Sequence, residues 1–146
     1  MTPERIFTLV NAIALGSWLL LVLLPRQRWV TQIVTAKLVP GAFATIYIAL
    51  VVSTFDRGEG GFSTLAGVSL LFRDDWLLLA GWMHYLAFDL LIGTWEIRDA
   101  QQHGLPHLLV VPCLILTFLF GPAGWLLYML LSRGHGTRRA EGADQR

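Results

Sequence analysis

A chain of 146 residues that is 55% hydrophobic and only 14% charged, with a mean hydropathy of +0.58, has too few charges to cover a water-facing surface; a soluble domain carries about 25%. Its formal net charge of +1 supplies no field for nucleic acid, and one cysteine, Cys113, excludes an internal disulfide. These numbers leave one integral membrane domain.

Crossing a hydrocarbon core of about 30 Å takes roughly 17–25 helical residues. The first such run covers residues 6–24 and stops at Pro25 and Arg26. Little positive charge precedes it and Leu-Leu-Pro-Arg is a poor cleavage site, so it reads as a span rather than a secretory signal. A second run covers 38–55 and is entered through Pro40. Gly58, Gly60 and Gly61 then mark a turn, and the apolar stretch 62–72 is too short to cross. It predicts an interfacial or re-entrant helix capped by Ser63 or Thr64. The third run, 76–95, is bracketed by Trp76 and Trp95, as expected at a membrane–water boundary. The fourth, 108–131, is interrupted at Gly121-Pro122, where a helix should kink or loosen because proline offers no amide donor. From 132 to 146 no apolar periodicity remains, which predicts a disordered tail. The expected fold class is all-α, a bundle of four transmembrane helices plus one short helix.

Four crossings put the N-terminus, the 56–75 loop and the tail on one face, with seven of the 11 Lys and Arg residues. The other face holds Arg26, Arg28, Lys37 and Arg98. Both termini are therefore expected in the cytoplasm, although the cluster Arg26–Arg28–Lys37 argues the other way.

Nine of the 10 acidic residues fall at ends, loops or tail; Asp89 alone lies inside an apolar run. A charged aspartate at mid-span costs about 2.5–3.5 kcal/mol on insertion scales, so the side chain should be neutral or turn toward other helices. At about 100° per residue, Trp82, Tyr85, Gly93 and Glu96 share its face, with Glu96 near the membrane edge and His84 pointing elsewhere. Two readings stay open. Asp89 is an interhelical hydrogen-bonding residue, with Asn11, Tyr47 or Thr117 as partner and worth about 0.6–2 kcal/mol. Alternatively it serves a bound apolar ligand or moves a proton. Glu96, Asp99, His103 and His107 would align on a helix as metal ligands, but Gly104-Leu105-Pro106 breaks that helix, and no metal is expected. Cys113 reads as a small packing residue. The aromatic residues, Trp82 and Tyr85 among them, suit a flat cleft or an ordinary core and boundary.

The stretch GWMHYLAFDLLIGTWEIRDAQQHG, with PCLILTFLFGPAGWLLYML, LVNAIALGSWLLLVLLPR and LAGVSLLF, resembles the abscisic-acid-deficient-four-like family of small membrane proteins. The similarity runs over about residues 6–131. Its plant members act in plastid neoxanthin formation. The chain starts directly at the first span, without their transit segment, so a bacterial inner membrane is expected. The resemblance implies an isomerase acting on a carotenoid epoxide or related isoprenoid. Such a reaction needs a proton donor and a proton acceptor but no redox cofactor, so no cofactor is expected. Asp89 would be the acid and His84 or Glu96 the base. Trp82, Tyr85, Asn11 and Thr117 would contact the ligand. The alternative is a non-catalytic protein that binds pigment or lipid or scaffolds a complex. A transporter is less attractive, and a homo-oligomer is left open.

Overall fold

The computed structural model describes residues 2–54 and 60–144, with side chains as far as Gly134. They form six α-helices and one π-helical segment, with no strand among the described residues. Helix α1 spans Pro3–Leu23. Pro3 sits in the first turn, where a missing amide hydrogen costs nothing, and Glu4 complements the positive end of the helix. Val10, Ala14, Ser17, Trp18 and Leu21 recur at helical spacing and form its buried stripe.

The second crossing starts at Val30, not at residue 38. A π-helical segment, Val30–Leu38, runs without a break into α2, Val39–Thr54. Pro40 has no amide hydrogen, and its ring cannot sit against the carbonyl four residues back. The widened turn before it relieves that clash, with Val39 N–H donating to Val34 O, five residues back. The Thr35 hydroxyl follows the same spacing, donating to Val30 O at 2.9 Å. Hydropathy reads the proline as an entrance because Lys37 and the polar threonines mask the earlier turns.

Helix α3, Leu65–Leu71, lies inside the predicted short element. Thr64 caps it by accepting from Gly67 N–H at 3.0 Å. Helix α4, Asp75–His103, has 29 residues. It is about 44 Å long and extends well past the predicted residue 95. Asp74 starts it by accepting from Trp76 and Leu77 N–H, and Gly104, at φ +71°, ends it. It is the central helix, buried on several sides, and both core clusters draw on it.

The largest departure from expectation is at the C-terminal end. Residues 108–131 do not form one kinked crossing. Helix α5, His107–Phe120, and helix α6, Pro122–Asp144, are antiparallel arms of a hairpin that reverses at Gly121. Gly124 packs directly on the Thr117 backbone, and Tyr128 shares a core cluster with Val110, Cys113 and Leu114. Both contacts are impossible in a continuous helix, where residues seven apart are about 10 Å distant along the axis. At 14 residues α5 is about 21 Å long, short of a full crossing. Among the described residues, three helices are long and apolar enough to cross a membrane, Pro3–Leu23, Val30–Thr54 and Asp75–His103. Beyond the hairpin, α6 stays helical through residues 132–144, where the sequence predicts no structure; no proline follows Pro122 to end it.

Cross-links fix the levels of the bundle. Near the start of α4 the Trp82 indole donates to Asn11 Oδ1 at 3.2 Å. Near its end Gln101 donates to Pro25 O, and His107 Nε2 meets Val22 O at 2.8 Å. Helices α1 and α4 therefore run parallel. Large apolar side chains such as Leu9, Leu19, Ile48, Val52, Leu108 and Ile115 point outward around the bundle, an arrangement suited to lipid.

Candidate functional site

Asp89 stands midway along α4 and is buried, 6% exposed. None of the partners the sequence offers reaches it. Asn11 takes the Trp82 indole, Thr117 takes Glu96, and the Tyr47 ring packs on His84. The Asp89 carboxylate instead meets the tip of the α5–α6 hairpin. A Cβ added at Gly121 would fall 2.6 Å from Asp89 Oδ1, so only glycine fits, and its φ of +26° independently favours glycine. Gly121 immediately precedes α6, which places the carboxylate at the positive end of that helix, where negative charge is favoured. Tyr85, one turn back on α4, lies beside the same carboxylate, and its hydroxyl also reaches Phe118 O at 3.4 Å.

Glu96 lies seven residues before the end of α4. It is 0% exposed, because α4 continues two turns beyond the predicted span and α5 and α6 cover it. The Thr117 hydroxyl donates to Glu96 Oε1 at 2.9 Å. Between the two acids lies Gly93, and the Trp18 indole of α1 fills the notch it leaves; a Cβ there would be 2.5 Å from the ring. Asp89 Oδ2, Glu96 Oε2 and Trp18 Nε1 are all buried and have no partner among the described residues. Such atoms are uncommon and mark a site under special demand.

The remaining predicted residues separate into other neighbourhoods. Trp82 packs on Phe7 and Tyr85, at ring separations of 5.7 and 5.3 Å, on the α1 side. His84 is exposed on another face of α4, between Tyr47 at 5.6 Å and Phe88 at 4.6 Å. Asp89, by contrast, is buried against the hairpin tip. With Tyr47, His84 lines a cavity of about 340 Å³ between α2, α3 and α4, whose other walls include Val51, Phe72, Leu77 and Ala80. The principal cavities, about 340–470 Å³, are not lined by Asp89 or Glu96. Around the acid stripe, Trp18 and the hairpin tip fill the space, so the aromatics there pack as core.

Of the four spaced acids and histidines, Asp99 and His103 stay together while Glu96 and His107 turn to other partners. Asp99 Oδ2 accepts from Tyr128 at 2.6 Å and lies 3.4 Å from His103 Nδ1, while His107 turns to Val22 O. Sequence reasoning missed Trp18, and it singled out Gly121 and Tyr128 without their acidic neighbours Asp89 and Asp99. The motif Phe120-Gly121-Pro122 carried the signal for the hairpin tip, and Gly93 on the acid stripe carried the signal for a large side chain opposite.

A central helix with a sealed two-acid stripe, apolar crossing helices around it and a hairpin packed on its second half define an all-α membrane protein. The chain belongs to the ABA4-like family, described as ABA DEFICIENT 4-like, whose family model matches residues 5–128. No curated protein and no solved structure matches it.

Proposed function

We propose that this chain binds an isoprenoid-class ligand from the membrane, with one end group of that ligand in the cavity between α2, α3 and α4. The observation that carries the reading is the character of that cavity. Its volume of about 340 Å³ falls in the range of small-molecule sites, and its apolar walls carry two polar side chains, Tyr47 and His84. Few polar groups in an apolar hollow fix the orientation of a greasy ligand with one oxygen function. The plant relatives' part in neoxanthin formation supplies the chemical class.

Such an end group suits isomerisation. Opening an epoxide to an allenic alcohol moves a proton onto the epoxide oxygen, breaks its C–O bond and removes a proton from the polyene, with no change in electron count. His84 is the group placed to exchange those protons, and Tyr47 to hydrogen-bond the oxygen. Asp89 and Glu96 keep a supporting role, since Trp18 and the hairpin tip seal them. The test is a carotenoid profile of epoxide-producing cells with and without the chain. A new isomer that disappears in His84→Ala and persists in Asp89→Asn supports His84 chemistry. Loss in Asp89→Asn with a normal His84→Ala returns the acid role to Asp89. Unchanged pigment that co-purifies with the chain supports a second reading, ligand binding without catalysis, which the sealed acids favour.

The membrane orientation changes with the number of crossings. After three crossings the hairpin dips in from the far face and returns to it. Among the described side chains, Arg5 and Arg73 then belong to the N-terminal face, and Arg26, Arg28, Lys37, Arg98 and Arg133 to the other. The positive-inside rule assigns that second face to the cytoplasm and the N-terminus to the opposite side. The cluster Arg26–Arg28–Lys37, which conflicts with four crossings, agrees with three.

A further inference from the structure

At the other end of α4 from the His84 cavity, a hollow of about 470 Å³ opens between the turn that ends α1 and the turn that joins α4 to α5. Ile97 and Val110, both almost wholly buried, line its apolar part, while Arg26, Gln101 and His107 supply polar groups. No acidic residue lines it among the described residues. Arg26 is exposed, and no carboxylate pairs with it among the described residues. The hollow is also built, because its two turns are tied together. Gln101 donates to Pro25 O, and His107 Nε2 must donate to Val22 O, since a carbonyl only accepts. Those two bonds hold the loop bearing Arg26 against the end of α4 and the start of α5.

We propose that this hollow binds the phosphate of an anionic lipid headgroup. A guanidinium without a protein partner suits a phosphate ester. The apolar lining beside it suits the glycerol end of a lipid better than a free ion. The position at the ends of α1 and α4 is a membrane boundary, where basic pockets between crossing helices select anionic headgroups. The site is separate from the His84 cavity, and its occupancy does not depend on what that cavity binds.

The full chain in a neutral detergent, titrated with short-chain phosphatidylglycerol, phosphatidylcholine or inorganic phosphate while thermal unfolding is followed, tests this. The wild type should gain Tm with phosphatidylglycerol and not with phosphatidylcholine. Inorganic phosphate at matched concentration should not reproduce the gain. Arg26→Gln should weaken the phosphatidylglycerol response roughly tenfold or more in apparent affinity, the loss expected for a charge-assisted hydrogen bond. Arg28→Gln removes the same charge two residues away, outside the hollow, and should change it less than about twofold. Equal responses to the two lipids in the wild type would overturn the proposal without any variant. So would a full shift from inorganic phosphate, or equal losses in the two arginine variants.

Discussion

Asp89 and Glu96 share one stripe of α4, and their surroundings set different demands on them. Asp89 faces a helix N-terminus across a glycine, so Gly121→Ala adds both a steric collision and backbone strain. It should lower stability by about 2 kcal/mol, read as a drop in Tm of the detergent-solubilised chain. Glu96 depends on one donor. Thr117→Val keeps the shape but leaves both carboxyl oxygens unpartnered in the core, a loss of about 1–3 kcal/mol. Glu96→Gln keeps an acceptor for the Thr117 hydroxyl and should cost less. If Glu96→Gln proves the more damaging substitution in the same melts, the carboxyl group has work that hydrogen bonding to Thr117 does not explain. At this scale the sequence was informative about burial and poor about partners. An acid amid Leu86, Ala87, Phe88 and Leu90 had to turn inward, and it does. Which group met it depended on a chain reversal 32 residues later, and spacing along one helix carries no such information.

Helices α1 and α4 are locked by a tryptophan in a glycine notch, and α5 and α6 by Gly124 on Thr117. Gly93→Ala should destabilise the bundle through the Trp18 ring, and Trp18→Leu should relieve part of that loss. A double-mutant cycle on Tm should return a coupling of about 0.5–3 kcal/mol; strict additivity would mean the two residues do not share a contact. The elements themselves were mostly legible. Apolar runs located α1 and the core of α2 and α4, and the β-region threonine cap of α3 followed from its sequence. The π-helical start of the second crossing was hidden, since Pro40 looks like a boundary while the chain widens its turn to keep going. The hairpin was hidden for a different reason. A kinked crossing and a reversed hairpin have the same apolar composition, and Gly121-Pro122 suits either. Only the contacts Gly124–Thr117 and Tyr128–Asp99 separate them.

Over the whole molecule, the reversal at Gly121 determines which surfaces share a membrane face. With the hairpin, the end of α1, the π-helical start of the second crossing, the end of α4 and the start of the C-terminal arm bring Arg26, Arg28, Lys37, Arg98 and Arg133 to one end among the described side chains. A fourth crossing would instead put Arg133 on the face of Arg5 and Arg73. The same reversal seals Asp89 and Glu96, while His84 and Tyr47 line a separate cavity of about 340 Å³. Placement of the hairpin is therefore the claim on which both the orientation and the assignment of chemistry rest. Its most direct test is sidedness, measured with a membrane-impermeant thiol reagent on intact and on opened cells. Buried Cys113 leaves little background, so single cysteines at Thr2 and appended after Arg146 report the two termini. Three crossings and a hairpin predict that the cysteine at position 2 reacts in intact cells while the appended one reacts only once the cells are opened. Reaction of both under the same condition would contradict the hairpin.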